Sequence, residues 1–267
     1  MNPYIASPED VQRFTDDGYF IAGGLVDTEE VDLLRNIARC DRQLAGTVAD
    51  RRDGQGGVVK LAVSNELADD IYGAIVRSRR IVDTMERLLR GEVYHYHHKM
   101  ILKDPYVGGA WEWHQDYGYW YHNGCLFPDL ASCMIAVDRA TRENGCLQVL
   151  RGSHLMGRIE HGKVGDQTGA DTERVEAACA RLELVNCELD PGSAIFFHCN
   201  LLHRSDQNRS AQPRWAFICC YNAARNDPYK ESRHPRYSFL QKWPDSKVKE
   251  AGREQWKALQ AASAVSS

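Results

Sequence analysis

One segment carries residues that could do chemistry together. Trp111-Glu112-Trp113-His114-Gln115-Asp116-Tyr117 sets an imidazole and a carboxylate two positions apart, the sole His-x-Asp or His-x-Glu among ten histidines. On an extended strand residues i and i+2 share a face, so His114 and Asp116 are expected to point together. Two such side chains supply neighbouring ligands for a divalent metal. Two histidines and one carboxylate with open positions form the donor set of non-haem Fe(II) oxygenases. The ordinary alternative is a structural His–Asp hydrogen bond.

The third ligand has two candidates in Phe196-Phe197-His198-Cys199-Asn200-Leu201-Leu202-His203-Arg204-Ser205. Read as one strand, this run puts Ile195, Phe197, Cys199, Leu201 and His203 on one face and His198 on the other. The arginines downstream favour His203. Arg214 comes eleven residues after it and opens the apolar run 215–221, whereas Arg209, eleven after His198, sits in the polar turn 207–213. An arginine across a hairpin from a metal ligand could clamp a carboxylate bidentately. His198 then reads as a packed histidine.

Other clusters are weaker. Tyr94-His95-Tyr96-His97-His98 offers a His-x-His pair of cupin type, but no glutamate follows at a fitting interval, and a strand with one wet face explains it more simply. Trp111, Trp113, Tyr117, Tyr119, Trp120 and Tyr121 crowd the His-x-Asp segment. They could cage a cationic substrate, although half-buried strand aromatics do the same without a ligand. Trp120 is the one to test for substrate contact.

These residues need a scaffold. The first ninety positions read as helical. Ser7-Pro8-Glu9-Asp10 has a capping residue followed by proline and acids, and Gly18 closes that helix. Asp27 and Glu30 stand at capping-box spacing before the face Val31, Leu34, Ile37, Ala38. Residues 51–57 form a polar, glycine-rich loop, and 66–90 is helical in two pieces, ending at Gly91. From Val93 the texture changes to short β-prone runs at 93–103, 132–137, 146–150, 182–189, 194–199 and 215–221. Segment 156–180 is polar, lacks a strand signal and reads as an insertion or lid. Residues 251–264 could form a terminal helix. The expected architecture is one α+β domain over 1–267: a mainly helical shell (1–91), a sheet core (92–222) and a C-terminal extension (223–267).

Composition bounds the function. With 33 basic and 37 acidic residues among 267, the chain offers no broad basic field, so nucleic acid is an unexpected partner. No apolar run approaches the ~20 residues of a membrane span, and the N-terminus lacks signal-peptide regions. Nine scattered cysteines without a CxxC pair suggest neither a disulfide framework nor a zinc knuckle. A reducing cytoplasm is the expected setting.

His114-Gln115-Asp116, Asn144-Gly145-Cys146-Leu147, Gly152-Ser153-His154 and His203-x-Ser205 followed by Arg214 resemble the phytanoyl-CoA dioxygenase family. The opening Phe14-Thr-Asp-Asp-Gly-Tyr-Phe20 and the Lys103-Asp-Pro105 turn resemble it too, so the match runs from about residue 10 to 222. Each motif alone is weak, while their order and spacing are specific. The resemblance implies a jelly-roll (double-stranded β-helix) core and oxidation of a small molecule with Fe(II), 2-oxoglutarate and O₂. It implies that His114, Asp116 and His203 bind iron, and that Arg214, helped by Ser205, holds the distal carboxylate of 2-oxoglutarate. Lys99 falls where family members place a cosubstrate contact. Halogenating relatives replace the metal carboxylate with a small residue; Asp116 is present, which favours hydroxylation with release of succinate and CO₂. No strongly basic tract argues for a CoA ester. Two rival readings remain: a cupin-like metal enzyme such as an isomerase or hydrolase, and a non-catalytic binding module on the same fold.

Overall fold

The computed structural model describes residues 4–53, 57–164 and 167–265. The chain opens with α1 (Pro8–Asp17), in which Ser7 Oγ accepts from the Asp10 amide at 3.2 Å while the Asp10 carboxylate accepts from the Ser7 amide at 3.0 Å. Gly18, at φ 85°, ends the helix in a conformation that a side chain disfavours. Strand β1 (Tyr19–Ala22) and α2 (Thr28–Cys40) come next, the latter with its Asp27/Glu30 capping box in place. Glu30 also receives both terminal nitrogens of the buried Arg80, at 2.9 and 2.7 Å, so one carboxylate caps α2 and pins it to a later helix.

After them stand α3 (Arg42–Thr47), β2 (Ala49–Arg52), β3 (Val58–Ser64), α4 (Ile71–Arg77) and α5 (Arg79–Leu88). The first 91 residues are therefore not a purely helical shell: β1, β2 and β3 join the large sheet. β1 and β2, four residues each, form the two edges of that sheet, and the seven-residue β3 pairs between β2 and β4. Of the glycine-rich loop, Arg51 and Arg52 belong to β2 and Gly54-Gln55-Gly56 lie outside the described residues.

The remaining elements are β4 (Val93–Lys103), β5 (Trp111–His114), α6 (Asp116–Trp120), β6 (Leu130–Ala136), β7 (Leu147–Leu150), β8 (His161–Val164), β9 (Gln167–Ala170), α7 (Thr172–Cys179), β10 (Leu184–Cys187), β11 (Ala194–His198), β12 (His203–Ser205), β13 (Arg214–Ala223) and α8 (Ser246–Val265). Two antiparallel sheets run in the orders β1-β11-β6-β13-β4-β3-β2 and β10-β7-β12-β5. From β4 onward the chain repeatedly crosses between them, giving the eight-stranded jelly-roll expected, four strands to each sheet.

Both faces of the large sheet are covered. One inner cluster, including Met134, Val149, Ile195, Phe197 and Ile218, fills the space between the sheets. A second cluster packs the outer face under α1, α2, α4, α5 and α8. Burial on both faces explains why β6 is apolar at nearly every position instead of alternating. It also corrects the reading of 94–98, which has no wet face: His95 and His98 sit outside, hydrogen-bonded to each other at 3.1 Å, and every residue from Val93 to His98 is buried.

The segment 156–180 departs from expectation as well. It contains the β8–β9 hairpin and α7, and it is docked on the metal-side sheet: Gln167 Oε1 accepts from the Glu112 amide at 3.0 Å and Gln167 Nε2 donates to Ala110 O at 2.8 Å. Polar side chains hid the hairpin because its strands are four residues long and lean on β5 by hydrogen bonds. All nine cysteines are unpaired thiols. Among the described residues no helix is long and apolar enough to cross a membrane.

Candidate metal centre and carboxylate cradle

The antiparallel pairing of β12 with β5 sets His203 directly opposite His114. Asp116 joins them by a different route from the one its spacing suggests. Strand β5 ends at His114, and Asp116 opens α6, so a strand-to-helix turn rather than strand alternation brings the carboxylate round. Gln115 holds that turn. Its Nε2 donates to Gly157 O and Asn200 O, both at 2.8 Å, and its Oε1 accepts from the Ile159 amide at 2.7 Å.

Ligand atoms of His114, Asp116 and His203 lie within 4.8 Å of one another, and this is the one such buried triad among the described residues. Each histidine has its Nδ1 engaged by a backbone carbonyl, His114 with Glu112 O at 2.7 Å and His203 with Leu201 O at 2.8 Å. That fixes the tautomer with the proton on Nδ1 and leaves the Nε2 lone pairs to converge. Burial holds both imidazoles below their ordinary pKa, His114 well below it, so the rings stay neutral and able to donate to a metal. Asp116 Oδ2 accepts from Ser132 Oγ at 3.1 Å, while Oδ1 faces His114 Nε2 at 3.9 Å. Neutral nitrogens, one oriented carboxylate oxygen and space on one side make a donor set suited to a divalent iron.

The triad opens on a recess, partly open to solvent, whose walls include Met134, Leu147, Phe197 and Ile218. At its other end stand two buried cations. Arg214 begins β13, in register with Lys103 at the end of β4. Its Nη2 donates to Gly145 O at 2.6 Å, while Nε is buried with no partner; burial pushes its pKa down to about 10. Lys103 Nζ donates to Ser205 Oγ at 2.9 Å and to the Asp206 carbonyl, and burial, with Arg214 beside it, pulls its pKa well down. Asp206 and Asp53 act on Lys103 and Asp138 on Arg214, but neither cation forms a salt bridge among the described residues. Two desolvated cations, one on a hydroxyl and a carbonyl and the other on a carbonyl, are costly to bury unless an anion joins them. The cradle fits a carboxylate.

From sequence Lys103 was named only within the Lys103-Asp-Pro105 turn and not as a site cation, although it shares the alternating face of β4 with Lys99 and Ile101, and that periodicity could have found it. Gly145 is a turn glycine at φ 77°, and its carbonyl also aims Arg214. Lys99 also lines the recess. His198 lies apart: β11 ends there, residues 199–202 cross to the other sheet, and its Nδ1 accepts from the Asn200 amide at 3.0 Å. The single strand expected over 195–203 is thus broken, because its halves belong to different sheets. Trp120 is 3% exposed, packs edge-on against Tyr96 and His97, and is not among the residues lining the recess, where Trp111 stands.

Among known proteins the chain is 32% identical to an L-proline trans-4-hydroxylase of Streptomyces griseoviridis over 185 residues, 62% of this chain and 68% of that one. It is 24% identical to an ectoine dioxygenase of Stutzerimonas stutzeri (strain A1501), over 86% and 82% of the two chains. The crystal structure of EctD from S. alaskensis with 2-oxoglutarate and 5-hydroxyectoine superposes with a TM-score of 0.77 at 23% identity, covering 92% of this chain and 90% of that one. That likeness is one of fold. The family model for phytanoyl-CoA dioxygenase (PhyH) matches residues 14–216, most of the length, and the chain belongs to that family.

Proposed function

We propose that this protein is an Fe(II)- and 2-oxoglutarate-dependent dioxygenase that hydroxylates a small molecule, with all of 1–267 serving as one catalytic domain. The observation that carries this reading is the pairing, in one recess, of a His–Asp–His triad whose imidazoles are neutral with a carboxylate cradle built from two buried cations that form no salt bridge among the described residues. The relatives that bear dioxygenase and hydroxylase names support it.

His114, Asp116 and His203 would hold the iron at one end of the recess. Arg214, Lys103 and Ser205 would hold the distal carboxylate of 2-oxoglutarate at the other. When bound, the metal and cosubstrate supply O₂ activation by oxidative decarboxylation, with succinate and CO₂ as products. The chain's own part is to orient and to exclude. Ser132 fixes one carboxylate oxygen of Asp116, Gln115 holds the ligand turn, and the apolar walls would limit water around the reacting centre.

The test is an anaerobic visible spectrum of the protein with Fe(II), before and after 2-oxoglutarate. A weak charge-transfer band that needs both supports the reading. Bound Fe(II) without that band favours a metal enzyme of another class, and no bound metal favours a binding module.

A further inference from the structure

The turn that carries two of the three metal ligands is held by a segment more than forty residues further along the chain. Strand β5 ends at His114 and α6 begins at Asp116, so Gln115 lies in neither element. Its residue is fully buried, and a buried backbone N–H needs a partner. His161, at the start of β8, supplies one. Its Nε2 accepts from the Gln115 amide at 2.9 Å, while its Nδ1, 2.8 Å from Ile159 O, carries the proton. The Gln115 side chain is held by the same segment, donating to Gly157 O and accepting from the Ile159 amide.

Helix α6 is shaped for this contact. A Cβ on Gly118 would stand 2.2 to 2.4 Å from three atoms of the His161 ring, so only a glycine lets the imidazole lie against the helix there. Tyr119, the next residue, touches both histidines: its ring centroid is 5.7 Å from that of the ligand His114 and 5.7 Å from that of His161. The Tyr119 hydroxyl donates to Thr168 O at 2.6 Å on the second arm of the hairpin. Gln167 on that arm bonds the Glu112 amide and Ala110 O beside it. Strand, turn and helix around the two ligands are thus each tied to the hairpin, and these bonds exist only while it is docked.

We infer that the β8–β9 hairpin is a clamp on the metal site, with His161 the positioning residue through which hairpin docking and metal binding are coupled. The inference rests on the reading of the triad as an iron site. A docked hairpin fixes Gln115, and through it the directions of His114 and Asp116 on either side. By the reciprocity of linked equilibria, a bound metal then holds the hairpin down. His161 is not a ligand; it acts through Gln115 and Tyr119.

The test joins amide hydrogen exchange to anaerobic Fe(II) titration of the full chain. In the unaltered protein, saturating Fe(II) should slow exchange in peptides covering 157–164 and 167–170 about tenfold or more, while α8 stays within about twofold. His161→Leu, which removes the acceptor, should weaken Fe(II) binding about tenfold and abolish the metal-dependent protection of 157–164. His161→Gln, whose Oε1 can stand where Nε2 accepts, should restore both, with Fe(II) affinity within about threefold of the unaltered protein. A hairpin whose exchange ignores Fe(II), a folded His161→Leu that binds Fe(II) as tightly as the unaltered protein, or a glutamine variant no better than the leucine one each overturn the inference alone. If His161→Leu does not fold, the exchange measurement on the unaltered protein decides. Failure of the unaltered protein to bind Fe(II) overturns the iron-site reading itself, and this inference with it.

Discussion

His203 and His114 face each other across the β12–β5 ladder with ring centroids 4.0 Å apart, each ring held by a carbonyl two residues before it in sequence. Two neutral imidazoles in this register present converging lone pairs with no metal needed to draw them together. The site is preorganised by the sheet, and the consequences divide cleanly between the two histidines near the end of β11 and in β12.

His203→Ala should abolish stoichiometric Fe(II) binding, while His198→Ala should retain it. His198 is half-buried beside Phe14 and His154 on the far side of the crossover, so its loss costs stability and not a ligand. Anaerobic Fe(II) titration of both variants checks this; the reverse pattern would place the metal elsewhere.

Ser132→Ala removes the hydroxyl that orients Asp116 without touching the triad. Loss of such a supporting bond typically costs about 10- to 100-fold in metal affinity. The expected outcome is weaker Fe(II) binding with thermal stability lowered by only about 1 kcal/mol, read from parallel metal titration and denaturant melts.

Arg214→Ala and Lys103→Met should each raise the 2-oxoglutarate concentration needed for turnover about tenfold to a hundredfold, the equivalent of one charged hydrogen bond at about 1.5–3 kcal/mol. Fe(II) affinity should stay near that of the unaltered protein. Unchanged cosubstrate dependence in both variants would remove the cradle's assigned role.

Trp120→Phe should preserve Fe(II) and 2-oxoglutarate binding, and Trp120→Ala should destabilise by about 3–5 kcal/mol, as truncation of a buried tryptophan does. A selective rise in substrate KM with intact stability would instead return Trp120 to the substrate.

The metal-free protein should lose stability as pH falls below about 6.5. Burial lowers His95 to about 3 and His98 and His198 to about 4, from an ordinary value of 6.5. Between those limits the unfolded chain binds protons that the folded chain refuses. Stability therefore drops by up to about 1.4 kcal/mol per pH unit for each histidine, and the loss levels off below the folded values. Urea unfolding between pH 7.5 and 5 measures the slope, and His98→Asn should flatten it.

The amino-acid sequence alone determined the local elements and the inventory of chemistry. The caps at Ser7 and Asp27, the breaks at Gly18 and Gly91, and the long β4 are set by contacts within a few residues, which sequence order encodes directly. The motif order likewise identified the family. Tertiary structure decided how the parts meet. His203 was preferred from the position of Arg214, but it reaches His114 because the chain changes sheets at 199–202, which no alternation within one strand describes. Asp116 arrives through a helix start, Lys103 becomes half of a cradle because β13 pairs with β4 in a register that puts Arg214 opposite it, and Trp120 turns inward with α6. These are long-range pairings, fixed by burial and backbone hydrogen bonding between segments tens to more than a hundred residues apart. A linear pattern carries the residue types for such a site, while their distances exist only once the two sheets have closed on each other.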